Sequence, residues 1–102
     1  MAWHRAAESS AIAEENVIGV EISGRKIALY RIAGKVYATD NICTHAYALL
    51  SDGYVENGCI ECPLHQGLFE IATGKGKGAP ITADLETFPA KEEEGWALVE
   101  LA

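Results

Sequence analysis

At 102 residues the chain has room for one domain with one modest core, and its 49% apolar and 23% charged residues are ordinary for a folded globular protein. Eight Lys and Arg against fifteen Asp and Glu leave a net charge of −7, which argues against nucleic acid, whose binding rests on cationic contacts to phosphate, and suits docking to basic protein surfaces. No apolar run approaches the roughly 20 residues of a membrane helix, the N-terminus lacks a secretory pattern, and three cysteines, an odd number, point to a reducing cytoplasm rather than a disulfide framework.

Residues 3–6 read as a short opening strand, and 9–15 as one helical turn capped by Ser9 or Ser10. Residues 17–22 form the next strand, Ser23-Gly24 a turn, and 26–32 a strand with Ile27, Leu29 and Arg31 on one face and Ala28, Tyr30 and Ile32 on the other. Ala33-Gly34 turns into a strand over 35–39. Tyr54-Val55-Glu56 and Cys59-Ile60-Glu61 flank Asn57-Gly58, a strong hairpin signal because both turn residues need positive φ. Residues 68–71 follow as a strand, turned by Thr73-Gly74. The alternation of Gly74, Gly76 and Gly78 up to Pro80 then excludes a core strand and reads as a tight loop. Residues 85–88 and 96–101 are the last strands, with Glu92-Glu93-Glu94-Gly95 as a solvated turn between them. Trp3, Tyr30, Tyr37, Phe88 and Trp96 read as core aromatics, and His4 as an ordinary surface residue. The pattern is all-β: an antiparallel sandwich or barrel base, with a small subdomain of hairpin loops at about residues 41–81, the whole of 1–102 being a single domain.

Two motifs in that subdomain carry the chemistry. Cys43-Thr44-His45 and Cys62-Pro63-Leu64-His65 each offer one thiolate and one imidazole, with sixteen residues between them. Two facing loops of this kind complete the coordination of a Rieske [2Fe–2S] centre, in which two His replace two Cys on one iron. Two ferric ions and two sulfides are doubly positive, so two thiolates leave the oxidised site neutral, whereas four would leave it a dianion. An electron enters a neutral site more easily, which raises the potential to about −150 to +300 mV. Zinc uses the same four residue types, but its ligands usually come as a Cys pair and a separate His pair, and the interleaved order fits it poorly. A catalytic Cys–His pair would leave two matched ligands unexplained. Cys59 lies close by, yet its alternation with Ile60 and Cys62 turns it to the opposite face.

The segments CTHAYALLSDG and ECPLHQGLFEIATGK resemble the two cluster-binding boxes of the Rieske ferredoxins of bacterial aromatic-ring-hydroxylating dioxygenase systems, and the likeness runs over nearly the whole chain. The resemblance implies one [2Fe–2S] cluster, with Cys43 and Cys62 on the inner iron, His45 and His65 on the outer iron near the tip, and the loop around residues 78–80 covering a third side. It implies an electron carrier with no catalytic residues and no small-molecule substrate. Such a carrier is a cytoplasmic monomer that takes electrons from a flavoprotein NAD(P)H-dependent ferredoxin reductase and passes them to the Rieske centre of a terminal oxygenase. A ferredoxin of a diiron monooxygenase and a small subunit of a nitrite-reductase type enzyme are the alternatives. Two departures stand out: Ala46 replaces the usual Gly after the first His, at a cost of about 1 kcal/mol if φ is positive there. The disulfide cysteines and the Ser of high-potential relatives are also absent, with Leu64 and Gln66 standing instead, which favours a lower potential.

Overall fold

Four dipeptides set the strand plan. Ser23-Gly24, Ala33-Gly34, Asn57-Gly58 and Glu94-Gly95 all have positive φ at both residues, 50–54° at the first and 75–85° at the second. That is the backbone of a tight two-residue hairpin whose twist matches its strands. The computed structural model describes residues 2–44, 47–64 and 66–101. In chain order the strands are β1 (Ala2–Glu8), β2 (Asn16–Ile22), β3 (Arg25–Ile32), β4 (Lys35–Asp40), β5 (Tyr54–Glu56), β6 (Cys59–Glu61), β7 (Leu68–Glu70), β8 (Thr87–Phe88), β9 (Ala90–Glu93) and β10 (Trp96–Leu101). No α-helix occurs among the described residues.

The strands make three antiparallel sheets, ordered β1-β10-β9, β2-β3-β4-β8 and β5-β6-β7. The β2-β3-β4-β8 sheet is the middle layer. Alternation sends Ile22, Ile27, Leu29, Val36 and Ala38 to one side, where they meet Ala97, Val99 and Leu101 of the β1-β10-β9 sheet. It sends Val17, Ala28 and Tyr30 to the other side, where they meet Leu50, Ile60 and Phe69 of the small hairpin unit. The two faces read from residues 26–32 are therefore both buried, each in its own core. Tyr30 keeps its hydroxyl satisfied there, at 2.8 Å from Thr39 Oγ1.

Several expectations need correction. Glu92 and Glu93 belong to the strand Ala90–Glu93 rather than to a solvated turn, and the turn is Glu94-Gly95 alone. Charge is compatible with pairing here because β9 lies at a sheet edge, where charged side chains reach water. Its Glu92 is also held by Arg31, whose guanidinium donates to both carboxylate oxygens at 3.0 Å and to the carbonyls of Ile12 and Ser9 at 2.8 and 2.9 Å. Of residues 85–88 only Thr87 and Phe88 pair, with Thr39 and Ala38. Leu85 reaches the core from a loop instead. The helical turn is confined to Ser9–Ala11, and Glu8 stands at its N-cap with no side-chain hydrogen bond, so neither serine caps it. Trp3 is 40% exposed on the edge strand β1, its ring under the Lys91 ammonium, while Tyr37, Phe88 and Trp96 are half-buried and only Tyr30 is fully enclosed. His4 is half-buried.

Candidate metal centre

The two motifs sit at the ends of loops with one construction. The Cys43 amide donates to the Ala48 carbonyl at 3.0 Å, and the Cys62 amide donates to the Gly67 carbonyl at 2.7 Å. Each cysteine thus closes a loop by bonding to the residue five positions on, and each loop contains the motif's histidine. The histidines themselves, His45 and His65, and the neighbouring Ala46 lie outside the described residues.

The first loop is pinned at its base. Asn41 is only 3% exposed, and both its side-chain nitrogen and oxygen are hydrogen-bonded. Nδ2 donates to Ser51 Oγ at 2.9 Å, and Oδ1 accepts from the Ser51 amide at 2.8 Å. The Asn41 backbone accepts from Leu50 at 2.7 Å and donates to Lys26 O at 2.9 Å, which fixes the loop to β3. Gly19 of β2 makes room for this tie, since a Cβ there would stand 2.7 Å from Ser51 Oγ and 2.8 Å from Asn41 Nδ2. The second loop follows directly from β6, and its far side enters β7 through the Glu61↔Leu68 pair. Gly53 lets the backbone after Leu50–Asp52 close on the Glu61 carbonyl, which an added Cβ would meet at 1.9 Å. A third loop, 74–84, lies against the first motif, where Thr44 Oγ1 donates to the Ala83 carbonyl at 2.8 Å. Ile81 of that loop joins Cys43 and Cys62 in one core cluster.

Cys43 and Cys62 are thereby brought together, 4% and 0% exposed, within hydrogen-bonding reach of each other and not joined by a disulfide. Burial pushes the Cys62 thiol up to about 11, a backbone hydrogen bond at Leu64 opposes the rise, and the adjacent Cys43 adds to it. Two soft donors, dry and adjacent, are suited to a metal that deprotonates thiols on coordination. The residues described fit the thiolate half of a [2Fe–2S] site. Cys59, as expected, faces away and lines the outer surface of the β5-β6-β7 sheet. The sequence reading did not find Asn41, Ser51, Gly19 or Gly53. Ser-Asp-Gly after the first motif was the one visible signal, and it did not disclose the close approach to Glu61.

Comparison with known proteins points the same way. The family profile for the Rieske [2Fe–2S] domain matches residues 2–89. The ferredoxin component of the naphthalene 1,2-dioxygenase system of Pseudomonas putida is 47% identical over 100 residues, covering 98% of this chain and 96% of that protein. Among solved structures, a ferredoxin of Sphingomonas yanoikuyae B1 superposes with a TM-score of 0.93 at 34% identity, over 99% of this chain and 100% of that one. A chain of the complex of reduced oxygenase and oxidized ferredoxin in carbazole 1,9a-dioxygenase superposes with a TM-score of 0.89 at 34% identity, over 95% of this chain and 91% of its own.

Proposed function

The chain belongs to the Rieske [2Fe–2S] domain family, and on that premise we propose that it is the ferredoxin of an aromatic-ring dioxygenase system, holding its cluster through Cys43, His45, Cys62 and His65. Its cofactor is one Rieske-type [2Fe–2S] cluster. When bound, the cluster takes up one electron and returns it. In this reading Cys43 and Cys62 hold one iron and His45 and His65 the other. The observation that carries the reading is the pair of buried, unlinked cysteines heading two loops of the same form.

The chain's own residues have a positioning task. The Asn41–Ser51 tie holds the first loop, the β6-β7 pairing holds the second, and the Thr44–Ala83 bond sets the third against them. The hydrophobic cluster around Cys43 and Cys62 keeps water from the thiol side. Residues of about 41–81 act as the cluster-binding part of a single domain, 1–102. The donor is a flavoprotein ferredoxin reductase using NAD(P)H, and the acceptor is a terminal oxygenase, as for the ferredoxin seen with its oxygenase in the carbazole system. The carrier works as a monomer in the cytoplasm. Its three cysteines, with no disulfide among them, accord with a reducing compartment, and no helix among the described residues is long and apolar enough to cross a membrane.

Purified protein tests this directly. Iron and acid-labile sulfide in equal amounts, two of each per chain, with a brown colour that bleaches on one-electron reduction, are the expected result. A colourless or zinc-loaded protein would overturn the reading. Cys43→Ser and His65→Ala are expected to lose the chromophore, and Cys59→Ser to keep it. His65→Cys, where a cluster still assembles, is expected to lower the potential by adding negative charge.

A further inference from the structure

We propose that Ile81 closes the thiolate side of the metal centre to water and thereby sets how readily the centre takes its electron, and that Gly76 and Asp84 are the positioning residues that seat it; the proposal rests on the [2Fe–2S] reading above. The outer part of the third loop otherwise faces solvent. Residues 77–80 and 82–84 are all exposed, whereas Ile81 is 8% exposed and belongs to the core cluster that contains Cys43 and Cys62. A tight turn delivers it there: the Ile81 amide donates to the Gly78 carbonyl at 3.0 Å, and Gly78 has a φ of 92°. A single branched apolar side chain thus enters the cysteine cluster from a loop that has no other business in the core.

The seat of Ile81 is built by its own loop. A Cβ at Gly76 would stand 2.5 Å from Ile81 Cγ2 and 3.3 Å from Ile81 Cβ, so Ile81 occupies the space a side chain there would take. The φ of Gly76 is not positive, and that space, not the backbone, is the reason for glycine. The Gly76 amide donates to Asp84 Oδ1 at 2.9 Å, which ties together the two limbs of the loop on either side of Ile81. The Lys77 amide donates to the Leu68 carbonyl at 2.9 Å and fastens one limb to β7, while the bond from Thr44 to Ala83 fastens the other to the first motif. Charge gives this seat its consequence. The oxidised site is neutral and the reduced site is an anion. Water stabilises an anion and an apolar wall does not, so each water kept out favours the oxidised form.

The test is the midpoint potential of the iron-loaded protein by protein-film voltammetry, with pulsed EPR of the reduced protein in deuterated water to detect exchangeable deuterons beside the centre. Ile81→Thr and Ile81→Val have nearly the same shape and differ in polarity. At the potential where wild type is half reduced, the Thr variant is expected to be severalfold more reduced than oxidised and to show stronger deuterium coupling. The Val variant is expected to stay close to wild type in both. Gly76→Ala keeps Ile81 in the chain but displaces it, and should shift the potential in the same upward direction. Asp84→Ala and Asp84→Asn both remove one negative charge, so the shift they share is electrostatic. Only Asn keeps an oxygen for the Gly76 amide, and Asp84→Ala is expected to rise further than Asp84→Asn. Equal potentials and equal deuterium coupling in Ile81→Thr and Ile81→Val would overturn the proposal, and so would a wild-type potential in Gly76→Ala, which decides the matter alone if Ile81→Thr does not load a cluster. Wild-type protein that holds no iron and sulfide would instead overturn the reading on which the proposal rests.

Discussion

Asn41 and Ser51 hold each other twice, side chain to side chain and side chain to backbone, across the neck of the first metal-binding loop. Both bonds are partly buried, beneath a surface pocket that Asn41 and Ser51 help to line. Asn41→Ala would leave the Ser51 amide without its acceptor in a partly buried setting and is expected to cost about 1–2 kcal/mol. Urea unfolding of the iron-loaded protein measures it. Gly19→Ala should reproduce part of the loss without touching either partner, since its methyl group displaces the same pair. An unchanged midpoint in both variants would show that the loop is held by other means.

Arg31 joins two sheets. From β3 it reaches Glu92 of β9 in a forked contact and fastens the carbonyls of Ser9, Ile12 and Gly34. Lysine cannot reproduce that fork, and Arg31→Lys is expected to lose about 1–2 kcal/mol. The hydrogen bonds from Arg31 hold the Glu92 carboxyl below its usual range. A carboxyl lowered in this way stabilises the fold above its unfolded pKa, and the contribution disappears as pH falls through the folded value. The same contact raises Arg31, so the guanidinium stays charged throughout the working range. The Glu92→Gln variant should therefore lose stability near neutrality and show a shallower decline on acidification than wild type.

Gly53 is indispensable for a steric reason alone. Its backbone is extended, with φ −96° and ψ −156°, so no left-handed conformation is involved. The obstacle is the Glu61 carbonyl, which a methyl group would meet at 1.9 Å. Gly53→Ala must push β6 away and is expected to cost about 1–3 kcal/mol. Because Cys62 follows β6, iron content per chain should fall as well, and metal analysis beside a thermal melt separates the two effects.

Metal removal gives a thiol test. In the iron-free chain, Cys59 on the outer face should react with a maleimide first, and Cys62, buried and raised to about 11, last. A thiol raised by folding ionises earlier in the unfolded chain. The iron-free fold should therefore weaken as pH climbs from about 9 towards the Cys62 value, and the loss continues beyond it because burial also raises the Tyr30 hydroxyl. Iron loading should remove the Cys62 part of that loss, because coordination removes the thiol proton, and leave the Tyr30 part. Mass spectrometry of the labelled thiols and pH-dependent unfolding follow both.

The hairpins were legible because turn chemistry is local. Ser-Gly, Ala-Gly and Asn-Gly announce positive φ whatever surrounds them, and the alternation over residues 26–32 disclosed a strand with two apolar faces. The strand β9 was hidden because Glu92 and Glu93 read as part of a solvated turn, and only Arg31, remote in sequence, reveals that Glu92 is held. Leu85 reads as strand on propensity, whereas its burial comes from a loop bonded to Gly74. Cys43 and Cys62 were legible by residue type and spacing. The supports of their loops were not, since Asn41 and Ser51 become partners only once the intervening chain has folded back.

Leu29 and Tyr30 are sequence neighbours, both wholly enclosed, and they look into different cores. The strand that carries them is thus a party wall between the base of the molecule and the half that holds the metal. Neither room can be vacated without exposing the wall. Heating or denaturant should bleach the chromophore and melt the distant β1-β10-β9 sheet at the same midpoint, and the carrier's working life is then set by the whole chain rather than by its loops.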